Sequence, residues 1–175
     1  KTLEKGKAAL FSPALLALDR ARNKFKAETL PLKDYLTSLV SLAPRAGQGP
    51  HLSRFSRALA MEKTLDMAQV ERERESLLIA LSSTLSPRER DGLMAQATAY
   101  RLGQTDPGEF YAGLERLCRE KGIVSDRGSF GTYLNYVRIV NNIDRVALMN
   151  ELVAFEDAAA RSLILTPAQD VLWKK

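Results

Sequence analysis

Ser86-Pro87-Arg88-Glu89, in the middle of the chain, repeats a start made at Ser12-Pro13 and made again at Thr166-Pro167. A Ser or Thr side chain can accept from the free N–H groups of a first helical turn, and proline at the next position lacks only an N–H that the turn would leave unpaired. The three pairs therefore read as three helix starts. Between the first two, the apolar pattern restarts as well. At an offset of 75, Leu18 falls on Leu93, Phe25 on Tyr100, Tyr35 on Phe110, Leu39 on Leu114 and Gly47 on Gly122. After a longer loop the offset becomes 78, and Phe55 meets Tyr133, Asp66 Asp144, Val70 Leu148, Glu73 Glu151 and Leu77 Phe155.

A unit that cannot close its own core stacks on its copy. The expectation is an all-α protein, a helical bundle or short α-solenoid made from two tandem copies of a three- or four-helix unit. Residues 1–11 are an N-terminal extension, 12–85 the first copy and 86–165 the second. Residues 166–175 are a capping helix or the start of a truncated third copy. The chain opens on Lys1, so an upstream segment is expected to have been removed.

Helical periodicity runs throughout, with glycine and proline mostly at junctions. The first copy predicts a helix from Pro13 to about Thr29 with Leu15, Leu18, Arg22 and Phe25 on one side. A shorter helix follows from Pro31 to Pro44, then a loop over Ala46–Pro50 and a helix from His51 to about Lys63. Asp66 reads as a new N-cap with Gln69 at the capping-box position; the segments on either side of it are two helices or one kinked helix.

Apolar residues make up 45% of the chain and charged residues 27%, an ordinary globular balance that excludes disorder as the default. The charge-free run Ala8–Leu18 is far shorter than the about 20 apolar residues needed to cross a bilayer, so no transmembrane segment is expected. Lys5 and Lys7 ahead of it imitate a signal peptide, but Asp19-Arg20-Ala21-Arg22 follows without a cleavage pattern. A soluble protein is expected, either cytoplasmic or exported with its signal removed. The pI of about 9.4 has a local origin. Residues 1–26 hold seven Lys/Arg against two acids, a net of +5 that equals the charge of the whole chain. Arg20, Arg22, Lys24 and Lys26 are thus candidate phosphate contacts for a nucleic acid. The neutral remainder and the lack of a binding motif weigh against that reading.

Four carboxylates recur between the copies: Asp66 and Glu73, Asp144 and Glu151. Seven residues are two helical turns, so each pair shares a face. Either they form a paired-carboxylate site, or the aspartates cap helices and the glutamates pair with a neighbouring helix. Glu71-Arg72-Glu73-Arg74-Glu75 alternates in sign, as a solvated face does. No Glu-x-x-His motif, nucleophile elbow or phosphate loop is present, so no metal, cofactor or catalytic residue is assigned. His51, the single histidine, sits in a helix's first turn. Cys118, the single cysteine, has Arg116, Arg119 and Lys121 nearby but lies in the apolar register, which favours a buried thiol.

Tyr133 and Tyr136, three apart on one helix face, with Asn141 and Asn142 beyond them, line a partner-binding groove or pack the core with their hydroxyls at the surface. The leading functional expectation is a non-catalytic scaffold or protein-interaction module. The alternatives are nucleic-acid binding through the basic first helix and an enzyme using a carboxylate pair.

Overall fold

The computed structural model describes residues 2–44, 47–125 and 127–175. Lys1, one of the seven basic residues near the start, and Ala46 of the predicted loop lie outside them. The described residues are all-α, with ten helices and no strand: α1 (Thr2–Leu10), α2 (Pro13–Lys26), α3 (Leu32–Leu42), α4 (Pro50–Glu62), α5 (Met67–Thr84), α6 (Pro87–Arg101), α7 (Pro107–Glu120), α8 (Gly128–Asn141), α9 (Arg145–Leu163) and α10 (Pro167–Trp173). Within them no helix is long and apolar enough to cross a membrane.

All three Ser/Thr-Pro pairs start helices. Ser12 accepts from Leu15 N–H. Ser86 with Glu89, and Thr166 with Gln169, close full capping boxes, in which each N-cap side chain and the third helical side chain satisfy one another's backbone N–H. Asp66 and Asp144 cap α5 and α9 through the N–H groups of Gln69 (3.1 Å) and Ala147 (2.7 Å). The segments flanking Asp66 are separate helices. Gln69 does not complete a capping box, because its side-chain oxygen accepts from Arg72 while its amide nitrogen donates to Glu73.

α2 ends three residues before the predicted Thr29. Glu28 turns to φ +57°, and Thr29 N–H returns to Lys24 O. Residues 1–11 are more than an extension, since Thr2–Leu10 is helical and packs on α10.

The chain divides into two compact units, Lys1–Ser53 with Asp144–Lys175, and Arg54–Ile143. This partition crosses the sequence halves: residues 12–85 place their long helix α5 in the second unit, and residues 86–165 place α9 in the first. In the first unit α9 packs on α2 and α3, over a core that includes Leu15, Leu18, Tyr35, Leu39, Leu52, Leu152 and Phe155. In the second, α5 packs on α8 and α7 packs on α6 and α8. The core there holds Val70, Leu77, Leu81, Phe110, Tyr111, Leu114, Cys118, Phe130 and Leu134.

One aromatic contact occurs in both units at the offset of 75. Phe25 stacks on Tyr35 with ring centroids 4.5 Å apart, and their counterparts Tyr100 and Phe110 stack at 4.5 Å.

Candidate functional site

The recurring glutamates are built into helix starts. Glu73, on α5, accepts from Phe130 N–H in the first turn of α8 at 2.8 Å. Glu151, on α9, accepts from Leu52 N–H in the first turn of α4 at 2.7 Å. Both acceptors and both donors are 78 residues apart. A carboxylate at this place satisfies free N–H groups and complements the positive end of the helix dipole. The Phe130 N–H, followed by the Gln69 amide, holds the Glu73 carboxyl below its ordinary range.

Backbone approaches these carboxylates closely. A Cβ on Gly128 would stand 2.6 Å from Glu73 Oε2, and Gly128 has φ +69°, a conformation that costs other residues about 1–2 kcal/mol. Gly128→Ala is therefore expected to lower unfolding free energy by at least about 1 kcal/mol, read from urea denaturation; an unchanged midpoint would refute the tight fit.

His51 lies at the start of α4, and its Nδ1 accepts the Asp144 backbone N–H at 3.0 Å. That N–H is the one a capping box would satisfy from the third helical position. In α9 this position is Ala147, which has no acceptor, so the histidine supplies it. Asp66 and Glu73 belong to one unit, and Asp144 and Glu151 to the other. Among the described residues no cluster of three or more His, Cys, Asp or Glu is placed to hold a metal ion.

Cys118 is fully buried. Burial, and then the charge of Glu115, push its thiol pKa up despite a hydrogen bond from Ser125. The nearby cations therefore do not activate it.

Of the basic residues on α2, Arg20, Lys24 and Lys26 are exposed. Arg22 is committed elsewhere: its Nε pairs with Glu156 at 2.7 Å, and its guanidinium lies 4.7 Å from the Trp173 ring centre. Glu156 also accepts from the Tyr35 hydroxyl. Burial, followed by this bond and the Glu156 charge, drives the Tyr35 pKa far up.

Tyr133 and Tyr136 are half-buried and stack on each other at 6.3 Å, with Tyr133 also edge-on to Tyr111. Asn141 lies against Gly108 of α7, and the Asn142 amide donates to Arg138 O at the end of α8.

The feature that sequence reasoning missed is a cleft of about 260 Å³ between α5, α6 and α7, lined by Arg74, Leu78, Met94, Ala97, Tyr100 and Phe110 among others. The first unit has a cavity of its own, of about 460 Å³, lined by Arg22, Trp173 and Asp170 among others. At the sequence offsets of 75 and 78, Ala97 pairs with Arg22, Phe110 with Tyr35 and Leu78 with Glu156. Arg22, Glu156 and Tyr35 form a polar cluster, whereas Ala97, Leu78 and Phe110 line the cleft.

At the start of α6, Lys121 Nζ reaches Glu89 Oε1 at 2.8 Å. The Lys121 ammonium, then the Ser86 backbone and hydroxyl, bring the Glu89 pKa down to about 2. A carboxyl lowered on folding stabilises above the ordinary value of about 4.3 and loses that contribution as pH falls. Glu89→Gln is therefore expected to be less stable than wild type at pH 7. The gap should close between about pH 4 and about pH 2, as followed by urea midpoints across that range. A gap independent of pH would refute the assignment.

In comparisons with known proteins, no family model, no curated protein and no solved structure matches this chain.

Proposed function

We propose that this chain is a non-catalytic helical scaffold, made of two tandem copies of one unit, that works by presenting helix surface to another protein. One observation carries the reading. The polar residues common to residues 12–85 and 86–165 are used to hold helices: Asp66 and Asp144 as caps, Glu73 and Glu151 as acceptors at the next helix start. Conserving such a frame twice supports duplication of a folding unit, while the two halves differ in what they expose. α5 carries charged Glu71 and Glu75 outward, where α9 carries Met149 and Val153, 42% and 56% exposed.

The nucleic-acid alternative retains Arg20, Lys24 and Lys26 but loses Arg22 to Glu156 and Trp173. The test is cross-linking of the tagged chain in the cells that make it, followed by mass spectrometry, beside duplex binding at low salt. A defined protein cross-linked to the same helix residues in repeated preparations supports the scaffold. No protein cross-link together with duplex affinity falling steeply with salt overturns it in favour of the alternative.

A further inference from the structure

In the first unit α2 is met at two points by other helices. Lys7 of α1 sits on Asp19 at 2.8 Å, Trp173 of α10 sits on Arg22, and Trp173 itself is 6% exposed. The corresponding helix of the second unit, α6, has no buried residue along its whole length. Met94 stands at the place of Asp19 and is 65% exposed, and Ala97 at the place of Arg22 opens into the cleft. One surface thus occurs twice, once beneath a helix that inserts an indole and once bare. The bare version has also exchanged its polar groups for apolar ones. The charged groups lining its cleft are Arg74 and Arg101, both cationic, with Arg74 also paired to Glu71 one turn before it on α5.

We propose that the cleft between α5, α6 and α7 is a docking site for a short amphipathic helix of a partner protein. This helix inserts an aromatic side chain beside Ala97 and sets carboxylates against Arg74 and Arg101. The proposal rests on the scaffold reading and names the chemistry of its partner. A cleft of about 260 Å³ admits one large side chain, and the rims supply two cations spaced on adjacent helices. Helix-in-groove recognition has this form, an apolar anchor flanked by matched charge.

The test uses the full chain with ¹³C-methyl methionine, in which Met94 is observed beside Met61, Met67 and Met149. The probe is a synthetic helical peptide with one Trp flanked by Glu one turn to each side. The expected result is a saturable shift of the Met94 methyl with the other three unmoved. Trp→Ala in the peptide should weaken binding about tenfold or more, and so should Glu→Lys. Ala97→Arg in the protein, which installs the residue found at position 22, should abolish the shift while the circular dichroism spectrum and melting curve stay unchanged. Arg74→Glu with Arg101→Glu should reverse the charge preference.

Absence of any Met94 shift overturns the proposal, as does equal affinity for the Glu and Lys peptides or unaltered binding to Ala97→Arg. A Met94 signal that moves with protein concentration alone overturns it too, because a second copy would then be the occupant. If the proposal fails while cross-linked partners are still recovered elsewhere, the scaffold reading stands.

Discussion

Tyr111→Ala is expected to lower the unfolding free energy by about 3–5 kcal/mol, the range for truncating a large aromatic in a packed core. Tyr111 is 2% exposed and is the hub of the second unit's aromatic cluster. It meets Tyr100, Phe110, Phe130 and Tyr133 edge-on, at centroid separations of 5.7, 5.1, 6.1 and 5.5 Å. Edge-to-face pairs add about 0.5–1.5 kcal/mol each beyond buried area, so truncation removes the packing of helices α6, α7 and α8 at one point. Tyr111→Phe tests the ring apart from its hydroxyl. That hydroxyl is buried beside Arg74, Tyr100 and Tyr133 without closing a well-formed hydrogen bond. Its removal is expected to change stability by less than about 1 kcal/mol. Guanidinium denaturation followed by circular dichroism separates the two variants. A Phe variant as damaged as the Ala variant would show that the hydroxyl, not the ring, holds the cluster.

Five helix starts were legible in the sequence because capping is local. Ser12, Asp66, Ser86, Asp144 and Thr166 each act within three residues of themselves, and each does what its residue type predicts. α1 was not legible. It has no capping signal, it resembles the charged and apolar regions of a leader, and what covers its Lys7 is Asp19 on another helix. Asp19 itself is a charged residue inside an amphipathic helix, and its burial, with Lys7 of α1 and Asn23 on its carboxylate, depends partly on a helix distant in sequence.

Glu73 and Glu151 were visible as recurring residues, but spacing along one helix cannot say that each meets a helix start 57 or 99 residues away. The cleft is the clearest case. The substitution of Ala97 for Arg22 and Leu78 for Glu156 can be written down at the stated offsets. Whether such a difference leaves a void or is filled by a neighbour is decided by packing across three helices.

The buried pair beneath α1 yields the other large effect. Lys7 Nζ and Asp19 Oδ1 are 2.8 Å apart, with side chains 6% and 2% exposed, and Asn23 adds a bond to the second carboxylate oxygen at 3.3 Å. Removing one charge leaves the other desolvated without compensation, so Asp19→Ala is expected to cost about 3–5 kcal/mol. A pair so buried gains little over apolar packing, since the cost of stripping water from both ions offsets their attraction. The second unit already shows the apolar solution, with Met94 at the place of Asp19. The double variant Lys7→Met with Asp19→Met is therefore expected to lie within about 1 kcal/mol of wild type, or above it. Trp173, the single tryptophan, sits on α10, against which α1 packs, and its fluorescence reports this region during denaturation. Because the double variant stays near wild type, coupling in the double-mutant cycle should approach the summed cost of the two single variants. Additive losses would mean that the two charges act independently and that α1 is held by its apolar contacts alone.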